Sequence, residues 1–208
     1  ARVFVNRVWQ HLFGQGLVMS VDNFGELGTA PTHPELLDWL ATRLVADKWS
    51  TKKLVREMML SRTYQMSSAP ADMATEKMDA GNVLLHRMRV RRLEGEAIRD
   101  AMLSISGEID LDRPRASAVA KAGYTRVANG QLGRMNNRSS GGRRPRGSSV
   151  SNPLDMETAK FRSVYLPIVR EEEPRSLRVF DFADTSTITG KRESSNTANQ
   201  SLYAMNNP

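Results

Sequence analysis

Apolar positions recur at three- and four-residue spacing from Arg2 to Phe13 (Val3, Phe4, Val8, Trp9, Leu12, Phe13), which predicts a helix over 2–13 with one buried stripe. Gly14 is placed to end it as a left-handed cap. A long connection follows, Gln15 to Pro31, holding Gly16, Gly25 and Gly28; loops of this length inside a domain are uncommon and often functional. Thr32 and Glu35 have capping-box spacing and predict the start of a second helix. Its expected buried stripe is Leu36, Leu37, Leu40, Leu44 and Val45, with Trp39 at the edge. Ser50 or Thr51 opens a third helix carrying Leu54, Val55, Met58 and Met59 and ending near Tyr64. The polar, small-residue segment 66–82 reads as a linker. A fourth helix is expected from Arg91 to Ser106, with Leu93, Ala97, Ala101 and Ile105 buried and Ile98 and Met102 widening the stripe. Arg92 and Glu96 should pair on its wet face, and Gly107 should end it.

Beyond residue 107 the pattern changes. Val164–Val169 and Leu177–Phe182 are short and β-leaning, separated by Glu171-Glu172-Glu173-Pro174, and predict a strand pair. A last helix starts near Thr197 with Leu202 and Met205, and the chain stops at Asn206-Asn207-Pro208 before that helix is complete, as a fragment cut inside its domain would. Seven of the thirteen aromatic residues precede residue 65, so the first three helices hold most of the large core-building side chains. The expected fold is mainly α, a helical bundle-like domain with long loops and a minor two-stranded β element. The expected organisation is a helical core over 1–110, a basic flexible insertion over 111–160, and a strand pair with the start of a C-terminal helix over 161–208, packed on the same domain.

Charge sharpens this division. The formal net charge is +7, yet nine basic residues and no acidic one lie between Arg113 and Leu154. The remainder carries 21 basic against 23 acidic residues. This basic stretch is rich in Gly, Ser and Asn, a composition that buries too little apolar surface to offset its ordering entropy, and it reads as a solvated insertion. Clustered arginines are also the chemistry of polyanion contact, which makes Arg126, Arg134, Arg138, Arg143, Arg144 and Arg146 candidate contacts. Tyr124 is the only aromatic among them, so the stacking platform of a single-strand nucleic-acid binder is missing. With 208 residues the chain is long enough to bury a core without staples. It has no cysteine, which excludes thiol catalysis, zinc ribbons, iron–sulfur ligation and covalent haem attachment within the chain. No stretch approaches the roughly 18 apolar residues of a spanning helix.

The chemistry-bearing motifs are sparse. Gly14-Gln15-Gly16 follows a helix rather than a strand and has Met19 where a dinucleotide loop needs its third glycine. No Gly-x-Ser-x-Gly elbow exists. His11, His33 and His86 have no metal-site spacing, so no metal site is expected. The catalytic candidates are Asp22 in the glycine loop, Asp38 on the helix after it, and Asp181 and Arg192 late in the chain. Each has a structural alternative, because loop aspartates commonly bond their own backbone.

Several blocks carry a family resemblance: Asn6-Arg7-Val8-Trp9-Gln10-His11-Leu12-Phe13-Gly14-Gln15-Gly16-Leu17-Val18, Asp22-Asn23-Phe24-Gly25 and Pro31-Thr32-His33-Pro34-Glu35-Leu36-Leu37-Asp38-Trp39-Leu40-Ala41. They continue with Trp49-Ser50, Ser61-Arg62-Thr63-Tyr64-Gln65, Arg91-Arg92-Leu93-Glu94-Gly95-Glu96-Ala97-Ile98-Arg99-Asp100-Ala101, Phe180-Asp181, Arg192-Glu193 and Gln200-Ser201-Leu202. Together they resemble the planctomycete domain of unknown function 1553. Ala183 and Ser201 depart from it, standing where that family tends to have proline and alanine. The resemblance implies the C-terminal domain of a large exported, periplasmic or extracellular protein, often with a cytochrome c module upstream. It defines no reaction and no catalytic residue. Three readings follow. The first is an accessory or interaction module whose partners are neighbouring domains of the same polypeptide, with no cofactor in this chain and haem c, if any, in an upstream domain. The second is a hydrolase- or oxidoreductase-type enzyme with a site at the 15–31 and 181–192 loops. The third is polyanion binding through Arg113–Arg146, for which an exported location disfavours nucleic acid and favours an acidic polysaccharide.

Overall fold

The computed structural model describes residues 1–70, 72–115, 126–128, 131–133, 159–168 and 173–206. Among them are seven α-helices, one turn of 3₁₀ helix and a single two-stranded ladder. The fold is therefore mainly α with long loops. The chain divides into two compact units, Ala1–Arg92 and Leu93–Pro208.

The first unit is built on α1 (Arg2–Phe13), α2 (Pro34–Ala46) and α3 (Thr51–Met59). Their apolar faces meet in a core that includes Val5, Trp9, Phe13, Leu37, Leu40, Leu44, Leu54 and Met58. Trp9 and Phe13 stack with ring centroids 3.9 Å apart, and Tyr64 meets Phe13 edge-on at 5.6 Å. The expected stripes are each rotated. On α1 the buried positions are Val5, Asn6, Trp9, Gln10 and Phe13, and Val3 and Phe4 face solvent. On α2 they are Leu37, Leu40, Ala41 and Leu44, leaving Trp39 and Val45 more than half exposed.

Gly14 does close α1 in the left-handed region, φ 83°, and its N–H bonds the Gln10 carbonyl. Arg91 lies over it: a Cβ on Gly14 would meet the Arg91 Cδ at 2.6 Å, and the Arg91 guanidinium donates to the His11 carbonyl. A cation is thus seated on the carbonyl end of α1, where the helix dipole favours it. The glycine loop is tied to the helix by Asn6, which is 1 % exposed. Its amide donates to the Val18 carbonyl (3.0 Å) and accepts the Val18 N–H (2.8 Å). Gly16 makes this approach possible, since a Cβ there would lie 2.6 Å from the Val18 carbonyl oxygen and within 3 Å of the Asn6 amide.

The capping box at Thr32 is not formed. The N-cap of α2 is His33, without a side-chain bond, and Pro34 takes the first helical position, where its missing N–H costs nothing. The Thr32 N–H and hydroxyl instead both bond the Leu17 carbonyl, at 2.9 and 3.2 Å. Ser50 caps α3 as expected, accepting from the Lys53 N–H, but α3 ends at Met59 rather than near Tyr64. Within the supposed linker, Asp72 caps a short α4 (Met73–Met78) by accepting the Thr75 N–H at 2.6 Å. The chain then returns through Asn82, 1 % exposed, whose amide pairs with the Arg87 main chain in both directions.

In the second unit α5 (Gly95–Ile105) starts four residues later than its periodicity suggested. Its buried positions are Gly95 and Arg99, whereas Leu93 and Ile105 are 60 % and 88 % exposed. The strand pair expected over Val164–Val169 and Leu177–Phe182 does not form in the described residues. Ser163–Tyr165 is a 3₁₀ turn and Arg175–Val179 is a helix, α6. Pro167 removes a ladder donor from the first run. In the second, the N–H groups of Leu177 and Arg178 both find the Pro174 carbonyl at 3.0 Å, so the backbone is satisfied locally as a helical turn. The ladder lies elsewhere: β1 (Arg126–Ala128) pairs antiparallel with β2 (Gln131–Gly133), Val127 opposite Leu132. The intervening dipeptide is Asn129-Gly130, the strongest short hairpin signal in a sequence. The last helix, α7, runs Ala198–Asn206.

Gly95 lets α5 and α6 approach closely, since a Cβ there would touch Phe180 and the Leu177 carbonyl at 3.3 Å. Leu177 is fully buried, and Phe180 meets Tyr203 of α7 edge-on at 5.6 Å. The buried Arg99 is satisfied by the Ala159 carbonyl, the Phe161 carbonyl (3.1 Å) and the Ser163 hydroxyl (3.1 Å). Asp100 accepts the Ser163 N–H at 2.7 Å, so two neighbouring residues of α5 hold the 159–163 segment.

Replacing Asn6 by Ala leaves a buried N–H and a buried carbonyl of Val18 without partners. We expect a loss of about 2–4 kcal/mol from the first unit, measured by urea unfolding followed through tryptophan fluorescence, since all three tryptophans lie in that unit. An Asn6→Ala midpoint indistinguishable from wild type would refute the role assigned to this amide.

Candidate functional site

The glycine loop and the starts of α1 and α2 enclose an open cleft of about 460 Å³ in the first unit. Val18, Phe24, Pro31, Pro34 and Leu37 supply apolar walls, and Arg2, Glu26 and Asp38 supply charge. The loop is cross-tied at its neck. The Ser20 hydroxyl donates to the Asn23 carbonyl (2.7 Å) and accepts the Thr29 N–H (2.8 Å), while the Thr29 hydroxyl accepts the Ser20 N–H (3.1 Å). Gly28 sits where a Cβ would overlap the Asn23 carbonyl at 2.1 Å, so this crossing tolerates no side chain.

Asp38 lines the cleft and is bound by Arg2 in a two-pronged ion pair, one contact being Arg2 Nη2 to Asp38 Oδ2 at 2.9 Å. The Arg2 hydrogen bonds hold its carboxyl below the ordinary aspartate range. Both side chains are more than half exposed, so the pair adds little to stability. Asp22 is exposed on the same loop. The cleft can take an apolar group with a charged rim beside it.

Asp181 and Arg192 belong to the second unit, and each sits in a network of its own. Asp181 adopts a left-handed backbone, φ 59°. Its carboxylate accepts the Ser195 N–H (2.8 Å), the Ser195 hydroxyl (2.6 Å) and the Gln200 amide (3.3 Å). Gln200, 5 % exposed, also accepts the Thr197 N–H at 3.1 Å, the return half of a capping box at the start of α7. Arg192 makes a bidentate pair with Glu96 of α5 (2.6 and 2.8 Å), approaches Glu94 at 3.2 Å and lies over the Phe182 ring at 4.9 Å. Burial alone would raise the Glu96 carboxyl. The Arg192 hydrogen bonds, a backbone N–H and the guanidinium charge together outweigh it and hold that carboxyl below the usual glutamate range. Glu96 thus has its partner across 96 residues of sequence, where the sequence pattern had paired it with Arg92.

The histidines are dispersed. His11 is exposed, His33 Nδ1 lies 3.0 Å from the Thr32 hydroxyl, and His86 Nε2 lies 3.1 Å from the Asp79 carbonyl and 3.7 Å from Glu76. Among the described residues no group of three or more His, Cys, Asp or Glu side chains is placed to hold a metal ion. Of the arginines proposed for polyanion contact, Arg126 falls in β1, and Arg134, Arg138, Arg143, Arg144 and Arg146 lie outside the described residues. Sequence reasoning missed Arg2, Glu96, Ser195 and Gln200 as partners of the residues it singled out. The Thr197–Gln200 spacing was the one local signal available.

The class defined by these observations is a mainly helical module in which Asp38, Asp181 and Arg192 are engaged by its own side chains. The whole chain, residues 1–208, matches the family described as PSD1, protein of unknown function (DUF1553), and it belongs to that family. No curated protein and no solved structure matches it.

The Arg192–Glu96 pair carries a pH dependence whose sign is set by the depressed carboxyl. Glu96 takes up its proton at higher pH when unfolded than when folded, so the stabilisation is complete above the ordinary glutamate range and is lost as pH falls through the folded value. Hydrogen-exchange protection of 95–105 and 198–206, corrected for intrinsic rates, should therefore fall on acidification, and Glu96→Gln should flatten that slope. An unchanged slope in the variant would count against this assignment.

Proposed function

We propose that this chain is an accessory, non-catalytic interaction module of an exported, haem-associated multidomain protein, acting in the periplasm or outside the cell. The observation that carries the reading is the engagement of the candidate acids and bases by structural partners. Asp38 is held by Arg2, Asp181 by Ser195 and Gln200, and Arg192 by Glu96. A general base needs a proton affinity poised near the working pH, whereas the Asp38 and Glu96 carboxyls lie below their ordinary ranges. Exposed aromatic and aliphatic side chains on the first unit, Trp39, Trp49, Val45 and Leu60 among them, support contact with a partner. The exported location, the planctomycete origin and the haem neighbour rest on the family resemblance, and the haem would be carried by an upstream domain. The absence of any helix long and apolar enough to cross a membrane, among the described residues, is compatible with this placement.

The cleft beside the glycine loop favours a second reading, in which the 15–31 loop contributes to a hydrolase- or oxidoreductase-type site. The two readings separate in one experiment. The isolated chain should show no turnover on ester, glycoside or redox-dye substrates and should bind the domain that neighbours it in the full protein, measured by titration calorimetry. In the full protein, Asp22→Asn and Asp38→Asn should leave any activity within about twofold of wild type, roughly the scatter expected of surface changes. Turnover by the chain alone, abolished by Asp38→Asn, would replace the accessory reading with the enzymatic one.

A further inference from the structure

The end of α2 is built in an unusual way. The Trp49 N–H bonds the Leu44 carbonyl (2.9 Å) and the Lys48 N–H bonds the Val45 carbonyl (3.0 Å), the paired bonds of a Schellman cap. That cap places a left-handed residue after the helix, a position normally given to glycine. Here Lys48 and Trp49 both occupy the left-handed region, with φ 54° and 60°. For a bulky side chain this conformation is a genuine outlier, and such outliers concentrate where a side chain has a task. Its effect here is to turn Trp49 outward: the indole is 54 % exposed and meets Phe4 of α1 edge-on at 6.4 Å. Phe4 is itself 37 % exposed, and Val45, whose carbonyl takes part in the cap, is 52 % exposed. The result is a pair of exposed aromatic rings on the surface of the first unit, with an exposed valine four residues before Trp49 in the chain.

The chain segment that carries Trp49 is positively charged. Residues 43–57 hold five basic and two acidic side chains. Both acids are already engaged, Asp47 by Lys53 (2.9 Å) and Arg43 (3.7 Å), and Glu57 by Arg43 (3.5 Å). Lys48 and Lys52, beside Trp49 in the chain, have no ion-pair partner among the described residues. Two exposed aromatic rings in contact, with an exposed valine and uncompensated cations close to them in the chain, suit a protein interface, where apolar anchors bury at the centre and rim charges select the partner. A carbohydrate subsite would pair its stacking ring with amide or carboxylate side chains. Here Ser50 is occupied as the cap of α3 and the nearby carboxylates are in ion pairs.

We propose that Phe4, Val45 and Trp49, with Lys48 and Lys52 at their edge, dock an acidic segment of a protein partner that carries an apolar anchor residue. This rests on the interaction-module reading and gives it a partner chemistry. The test is selection of random displayed peptides on the full chain, with counter-selection on Trp49→Ala, followed by affinity measurement of the enriched peptides. They should be rich in Asp and Glu around one aromatic or aliphatic residue. Binding should weaken roughly tenfold or more in Trp49→Ala and several-fold in the double variant Lys48→Glu/Lys52→Glu, and should fall with added salt. Circular dichroism of both variants should match wild type, because the substituted side chains are exposed. Enrichment of peptides without acidic residues, or affinity unchanged in either variant, would overturn the proposal. So would Trp49-dependent self-association in sedimentation, or Trp49-dependent binding of a sulfated oligosaccharide or anionic vesicles without acidic-peptide enrichment. Failure here leaves the absence of turnover in place, whereas failure of the accessory reading shows itself as turnover.

Discussion

Two hydrogen bonds between the Asn6 amide and the main chain of Val18 join the first helix to the loop that leaves it, and the first unit is organised around that junction. A buried amide imitates a strand partner here: it offers one donor and one acceptor to a backbone that turns away from regular structure inside the core. Unpaired, either Val18 group would carry the desolvation penalty of a buried polar atom. Paired, they let Leu17 and Val18 enter the core beside Trp9 and Phe13, although neither belongs to a helix. The Leu17 carbonyl then receives the Thr32 N–H and hydroxyl, which sets where α2 begins. Gly16 is required by this arrangement for its missing Cβ, and Gly14 for its φ.

The second unit uses charge where the first uses apolar volume. Arg99, 6 % exposed, bonds two carbonyls and a hydroxyl across some 60 residues of sequence, and Glu96, one turn earlier, clamps Arg192. A buried guanidinium is tolerated only when its donors are met, so each such group specifies the path of the segment that meets it. The consequence for function is direct. The Asp181 carboxylate and the Arg192 guanidinium, which look like catalytic candidates in isolation, are ties of a fold that has only six of its thirteen aromatic residues beyond residue 65. Their partners hold them in place.

In the proposed reading, function falls to the surface. The first unit turns aromatic and aliphatic side chains outward at the end of α2, at positions that a helix-forming sequence would ordinarily keep small or polar. The cleft by the glycine loop is a different feature, apolar-walled and rimmed by an ion pair, beside a loop that is cross-tied at its neck.

The helices α1, α2 and α3 were legible from their apolar spacing, and so were Gly14 as a cap, a cap for α3 at Ser50 or Thr51 and the mainly α class, because these are written in residues within a turn of one another, whereas the short α4 lay hidden in a segment without an apolar stripe. The pairing of β1 with β2 had a sequence signal as well, Asn-Gly between the two runs, and was missed beside the stronger basic composition of its segment. Which face each helix buries was less so. Leu93 and Ile105 have the spacing of a core stripe, yet α5 buries Gly95 and Arg99, since close approach to α6 and the path of 159–163 decided the face. Val164–Val169 and Leu177–Phe182 have strand composition, but β preference is realised only against a partner strand, and Pro167 and Pro174 favoured turns. The site residues show the same division. The chain by itself determined that Asp38, Asp181 and Arg192 would be available as charged groups. Only tertiary structure determined that Arg2, Ser195 and Glu96 would meet them, because partners 36, 14 and 96 residues away leave no periodic trace in a sequence.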